Sequence, residues 1–162
     1  MKASSISTIR ETLQNLPNGA LIEICHKLMK FRKENKELLH YLLFESNDEV
    51  NFINNLKEEV DELFCKVNTQ TIFFAKKTIR KILRHITKHC KFSGRTSTQI
   101  EVLLHFCKRM YALPLHWQDS KVMVNLYQTQ VNKIENLLLR AHEDLQYDYR
   151  QQIDELPAVG NC

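Results

Sequence analysis

The sequence predicts an all-α protein of about seven helices. Apolar residues recur every three or four positions along nearly the whole chain, which is the spacing of one helix face. The 162 residues include only 3 Gly and 3 Pro, too few for the many tight turns of a sandwich or barrel. The nearest strand candidate is "QTIFFA" (70–75), and its apolar pattern continues at helical spacing, so we predict no strands.

Three helices are predicted in the N-terminal part of the chain. Ser7 is a candidate N-cap of the first helix, and Pro17 with Gly19 makes the turn that ends it. Asn18 is a candidate cap of the second helix. The polar run "RKENKELL" indicates a break near residues 34–35, before a third, leucine-rich helix.

Polar breakers divide the middle of the chain into separate helices. Ser46, Asn47 and Asp48, in "ESNDEV", are candidates for a C-terminal stop followed by the N-cap of a fourth helix. The run "NTQT" separates that helix from a fifth one over about residues 72–91. Gly94 is the expected C-terminal glycine of the fifth helix, and Ser97 or Thr98 is the expected cap of the sixth.

One long helix and a short acidic helix are predicted in the last third of the chain. Pro114 ends the sixth helix, because proline cannot continue it. Trp117 follows, and either packs this connector onto the core or anchors a partner. The seventh helix is predicted from about Asp119, with the acidic helix after it.

Short connections between the helices favour antiparallel hairpins. Two arrangements of the hairpins are open: an irregular bundle, or a small solenoid-like stack of the HEAT or TPR kind. The number of helices favours the stack, although no motif repeats at a fixed period. We expect one helical domain over residues 1–156 and a flexible tail over 157–162, with Cys162 as an exposed thiol.

Composition and cysteine spacing indicate a compartment. Apolar residues make up 43% of the chain and charged residues 26%, as in ordinary globular proteins, and a net charge of +4 does not by itself indicate a nucleic-acid binder. The start "MKASSISTIRE" has no apolar core of a signal peptide, and no apolar run approaches the roughly 18 residues of a membrane span. The five cysteines are widely spaced, without a C-x-x-C pair. We therefore expect reduced thiols in a cytoplasmic protein without a membrane partner.

Three segments together resemble a known family. They are "LPNGALIEICHKLMKFRKENKELLHYLLF" (16–44), the acidic helix that follows, and "FAKKTIRKIL" (74–83). With these segments, about residues 10–145 resemble a family of short all-helical bacterial proteins catalogued as a domain of unknown function. The resemblance implies a bacterial, cytoplasmic, all-α protein, and it carries no activity and no site residues over to this chain.

The fifth helix has one strongly basic face. The stretch "AKKTIRKILRHITKHCKF" (75–92) holds seven lysines and arginines and no acid. On a helical wheel its apolar residues fall within about 100° of arc, the width of a core-facing stripe. The candidate polyanion-binding residues lie on the opposite side, and they are Lys77, Arg80, Lys81, Arg84, Lys88 and Lys91.

Two interpretations of these cations are open. Seven acids lie between Glu45 and Glu62, with Lys57 as the one cation among them, so a hairpin of the fourth and fifth helices can pair the opposite charges. Alternatively, each cation neutralises a backbone phosphate, which gives salt-sensitive binding that ignores base sequence. The sequence predicts no helix-turn-helix before this helix and no aromatic stacking platform on its basic face.

Metal-binding and catalytic residues are not predicted. His85 and His89 are four residues apart, a spacing at which two histidines can share one metal ion, and Cys90 follows them. On the wheel, Cys90 lies in the apolar stripe whereas His85 lies on the polar side, so one ion does not reach both. His105 and Cys107 lie on the next helix. No phosphate-binding loop, G-x-S-x-G or H-E-x-x-H occurs. We predict no metal, no cofactor, no catalytic residues and no enzyme.

The sequence therefore favours a non-enzymatic interaction or scaffold protein with an unknown protein partner. The alternative is a nucleic-acid-associated protein that binds phosphates through the basic face of the helix over about residues 72–91. Neither alternative indicates a particular oligomeric state.

Overall fold

The computed structural model describes residues 2–159, and every regular element within them is helical. The prediction of an all-α fold is confirmed. The α-helices are α1 (Ile6–Gln14), α2 (Asn18–Phe31), α3 (Lys33–His40), α4 (Glu49–Cys65), α5 (Ile72–Ser93), α6 (Thr96–Tyr111), α7 (Lys121–Leu139) and α8 (Glu143–Asp154). A π-helical segment, Tyr41–Glu45, continues α3, and a 3₁₀ turn, Trp117–Asp119, precedes α7. Over the same described span, no helix is both long and apolar enough to cross a bilayer.

The helices belong to two compact units, Met1–Phe44 and Glu45–Cys162. The sequence-based boundaries, a domain over 1–156 and a tail over 157–162, stay predictions. The start of the predicted tail contacts α7, because the Tyr127 hydroxyl donates to the Pro157 carbonyl at 3.2 Å. The predicted exposed thiol of Cys162 lies outside the described residues.

Two helix ends lie where the sequence predicts them. Asp48 caps α4, since its carboxylate accepts a hydrogen bond from the Asn51 N–H at 3.1 Å. Gly94 ends α5 in the left-handed region at a φ of +68°, a conformation that glycine adopts without steric cost.

Four other helix ends differ from the prediction. Pro17, and not Asn18, occupies the N-cap position of α2, and no side chain caps this helix. Ser5, not Ser7, caps α1 by accepting the Thr8 N–H at 3.2 Å. The break between α2 and α3 lies at Arg32, which is extended, and not at residues 34–35. α6 begins at Thr96 with Arg95 as its N-cap, ahead of Ser97 and Thr98. Thr98 is unavailable as a cap because its hydroxyl is buried and donates to the Glu49 carboxylate.

The first unit buries little. None of the residues of α1, α2 and α3 is fully buried. α2 packs against α3, and the Asn35 side-chain amide donates to the Leu28 carbonyl at 2.9 Å across the break between them. A shallow apolar groove runs between the two helices, and it is lined by Cys25, Leu28, Met29, Asn35, Leu38, Leu39 and Leu42.

The second unit is an irregular bundle around α6. α6 packs against α4, α5, α7 and α8, whereas each repeat of a solenoid contacts only its neighbours in sequence. α4 and α5 are antiparallel, because Phe52 lies against His89 while Glu59, further along α4, contacts the earlier residue His85. Of the two arrangements open from the sequence, the second unit adopts the bundle.

Trp117 packs the connector between α6 and α7 onto the core of the second unit. Its side chain is 0% exposed, and its ring lies 5.4 Å from that of Tyr127 and 6.4 Å from that of Tyr111. The first of the two interpretations of this tryptophan is therefore correct.

The buried carboxylate of Glu49 joins three helix ends. The hydroxyls of Ser93 and Thr98 both donate to its Oε1, and Arg95 Nε lies 3.5 Å from its Oε2. The start of α4, the end of α5 and the start of α6 are held together at this point.

We expect Glu49→Ala to lower the free energy of unfolding by about 1.5–3 kcal/mol, because the buried Thr98 hydroxyl, the half-buried Ser93 hydroxyl and an arginine lose their charged acceptor. The measurement is urea denaturation followed by circular dichroism. Glu62→Ala is the control, since Glu62 is exposed on the same helix, and it should change the free energy by less than about 0.5 kcal/mol. Equal effects of the two substitutions would contradict the role of Glu49.

We also expect the second unit to lose stability in alkali. Burial raises the pKa of the Cys90 thiol from 9.0 to about 11 and that of Cys107 to about 12. Above about pH 9 the unfolded chain releases these protons while the folded protein keeps them. The free energy of unfolding therefore falls as pH rises, by up to about 1.4 kcal/mol per pH unit for each thiol. Urea denaturation between pH 8 and 10.5 should show a shallower decline for Cys107→Ala than for the wild type. The exposed Cys65→Ala is the control, and an unchanged slope in Cys107→Ala would refute the assignment.

Candidate functional site

α5 is divided lengthwise into a buried face and an exposed one. Its buried residues recur at helical spacing and are Ala75, Ile79, Ile82, Ile86 and Cys90. This face packs against α4 and α6. Because the helix is rigid and one face is fixed in the core, the side chains on the opposite face are directed away from these two neighbours.

The structure leaves most of the predicted cations exposed and without a carboxylate. Of the six, Lys88 is half-buried, and the other five are exposed. Within residues 2–159, no carboxylate oxygen lies within 4.0 Å of the charged nitrogens of Lys77, Arg80, Lys81, Arg84 and Lys91. We call these five residues the α5 cations.

Asp61 of α4 is directed at α6, not at the α5 cations. Asp61 Oδ1 lies 2.7 Å from His105 Nε2 and 2.9 Å from Arg109 Nε, both on α6. The one cation of α4 also turns to α6, with Lys57 Nζ 2.7 Å from Glu101 Oε2. Neutralisation by α4, the first interpretation from the sequence, therefore does not occur for the α5 cations.

A shallow groove follows the exposed face of α5. It is lined by Phe73, Lys76, Lys77, Arg80, Leu83 and Arg84. Phe73 is 66% exposed, and Lys76 Nζ lies 6.0 Å from the centre of its ring. We call this surface the α5 groove.

Phe73 corrects the prediction that the basic face carries no aromatic side chain. Lys77, Arg80 and Arg84 follow Phe73 by four, seven and eleven residues, so all four side chains lie on one side of the helix. The signal was therefore present in the sequence, in the spacing between Phe73 and these basic residues.

The histidines and cysteines that the sequence singled out do not form one cluster. Cys90 and Cys107 are buried, and His105 contacts Asp61. His85 and His89 instead lie beside a carboxylate that sequence reasoning missed, Glu59 of α4. No local signal identifies Glu59, because it lies 26 residues before His85 and is one of many acids on its helix.

Comparisons of the chain with protein-family models, with curated proteins and with solved structures found no match. The resemblance to the family of short helical bacterial proteins, and the bacterial origin that it implies, stay predictions.

We expect Arg80→Glu combined with Arg84→Glu to change the free energy of unfolding by less than about 0.5 kcal/mol, because both side chains are exposed and neither has a carboxylate partner. Urea denaturation of the double variant provides the measurement. A loss above about 1.5 kcal/mol would mean that these arginines make stabilising contacts that the structure lacks.

Proposed function

We propose that the protein is a non-enzymatic interaction protein whose partner is single-stranded nucleic acid, held in the α5 groove. The observation that supports this proposal best is the row of five exposed α5 cations, which have no carboxylate partner in the part of the chain that the structure describes. An unneutralised row of cations attracts polyanions, and each phosphate contact releases bound counterions.

The length of the row suits a nucleic-acid strand. Lys77 and Arg84 are seven residues apart and Lys91 follows after seven more, so at 1.5 Å per residue the row is about 21 Å long. A strand lying along this face can place several consecutive phosphates beside the cations.

Phe73 favours a single strand over a duplex. An exposed aromatic ring at one end of a cationic groove can stack on an unpaired base, whereas the bases of a duplex already stack on one another. Stacking of this kind tolerates any base, so the proposed binding is largely independent of sequence.

The proposed location is the cytoplasm. The four cysteines within the described part of the chain are free thiols, and Cys25 and Cys65 are exposed. Exposed free thiols are typical of a reducing compartment, where nucleic acids are also found.

The broader prediction of a protein partner rests on different residues. Phe31, Leu42, Leu43 and Phe44 of the first unit are each more than half exposed. Apolar side chains exposed close together in sequence are typical of contact surfaces. This partner stays a prediction, because no feature of the first unit specifies its chemistry.

The salt dependence of binding tests the electrostatic part of the proposal. We expect a fluorescent oligo-dT 20-mer to bind at low salt, with log K falling against log salt at a slope of about −3 if four to five phosphates are contacted. Arg80→Glu with Arg84→Glu should abolish binding. The matched control is Lys121→Glu with Arg150→Glu, which makes the same change in net charge on α7 and α8, and it should retain most of the affinity. An equal loss in both double variants would show that net charge alone determines binding.

The stacking part has its own test. Phe73→Ala should weaken oligo-dT binding by about 1–3 kcal/mol, or roughly 5- to 150-fold, without changing the salt slope. Phe74→Ala is the matched control, because Phe74 is half exposed but does not line the α5 groove. Tighter binding to a 20-base-pair duplex than to the single strand would contradict the choice of a single strand.

A further inference from the structure

Three side chains with metal-ligating atoms meet at the contact between α4 and α5. They are Glu59 of α4 and His85 and His89 of α5, and one ligand atom from each lies within 4.8 Å of the other two. Glu59 Oε2 lies 2.7 Å from His85 Nε2, and the two imidazole rings have their centres 4.4 Å apart. This cluster uses no residue of the α5 groove.

Helix geometry and neighbouring rings position the two imidazoles. Residues four apart on a helix lie on the same face one turn apart, so His85 and His89 project side by side. The ring of His89 lies 6.4 Å from that of Phe52 and 5.3 Å from that of Phe92. Both histidines are half-buried and Glu59 is exposed, so the cluster is ordered on its inner side and open to solvent on its outer side.

We propose that Glu59, His85 and His89 form a binding site for a divalent transition-metal ion, with Zn²⁺ as the expected ion. Two imidazole nitrogens and one carboxylate oxygen are a donor set that Zn²⁺ accepts in proteins, with a water molecule as the fourth ligand. Four ligands about 2.0–2.1 Å from the ion lie about 3.3 Å from one another. The ligand atoms of Glu59, His85 and His89 lie between 2.7 and 4.8 Å from one another. Small rotations of these side chains bring the atoms to the required separation without movement of either helix.

The ion would join the second half of α4 to the middle of α5. It replaces the direct contact between Glu59 and His85 with bonds from both residues to one cation. Metal that binds the folded protein, and not the unfolded chain, raises the free energy of unfolding according to its concentration and affinity. The open water position leaves the ion accessible to an exchangeable ligand.

The binding experiment uses the full chain and ZnCl₂. Cys25, Cys65 and Cys162 are replaced by serine in every variant, so that thiolates not assigned to the site do not contribute ligands. We expect isothermal titration to give one Zn²⁺ per chain, and thermal unfolding to shift upward with added Zn²⁺. Co²⁺ in place of Zn²⁺ should give the visible absorption of a four-coordinate ion with nitrogen and oxygen ligands.

Single substitutions assign the ligands. Glu59→Gln keeps the size of the side chain and one acceptor oxygen but removes the negative charge, and it should lower the Zn²⁺ affinity about tenfold or more. His85→Gln and His89→Gln should each abolish the thermal shift. His105→Gln is the matched control, because His105 also bridges α4 to a neighbouring helix through a carboxylate, that of Asp61, and this variant should bind Zn²⁺ like the parent.

Each outcome decides the proposal. Circular dichroism confirms that a variant is folded before its Zn²⁺ affinity is compared. If a histidine variant does not fold, Glu59→Gln provides the test, because Glu59 is exposed. Loss of binding in the Glu59, His85 and His89 variants, with retention in His105→Gln, supports the site. The proposal is overturned if the parent binds no Zn²⁺ at millimolar concentration, or if the Glu59 and His85 variants bind as the parent does. Either result is independent of oligo-dT binding.

Discussion

The burial of one face of α5 is the constraint on which the rest of the second unit depends. Ile79, Ile82 and Ile86 are each at most 1% exposed, so the rotation of this helix about its axis is fixed by its contacts with α4 and α6. A rotation of even one residue, 100°, would bring charged side chains into the core, where an unpaired charge costs several kcal/mol. The orientation of the cations is thus a consequence of apolar packing and requires no contact of their own.

The distribution of the acids on α4 explains why the α5 cations have no carboxylate partner among residues 2–159. α4 lies between two helices and its charged residues are shared between them. Asp61 and Lys57 contact α6, and Glu49 joins the ends of α5 and α6. Glu59 reaches α5 but contacts His85 and not an arginine or lysine in the α5 groove. Opposite charges on neighbouring helices therefore coexist without cancelling, because pairing depends on which face each charge occupies, and not on the total charge of each helix.

The sequence predicts those features that depend on local spacing. Helical periodicity identifies the all-α class. The capping chemistry of Asp48 locates the start of α4, and that of Gly94 locates the end of α5. Capping preference fails as a guide at Thr98, because this hydroxyl donates a hydrogen bond to the buried carboxylate of Glu49, which lies 49 residues earlier in the chain. The position of Phe73 on the basic side of α5 was also available from its spacing to Lys77, Arg80 and Arg84. Glu59 could not be found in this way, since its place beside two histidines depends on the register of two packed helices.

The most direct test of the account is a nuclear magnetic resonance titration of the ¹⁵N-labelled protein with unlabelled oligo-dT. If α5 binds the strand through its exposed face, the amide signals that shift should run along α5 from Phe73 to Lys91, together with the side-chain signals of Arg80 and Arg84. The amides at the centre of α6 should stay unchanged. Shifts confined to α7 and α8, or to the first unit, would contradict the account, as would the absence of any shift at millimolar oligonucleotide in low salt.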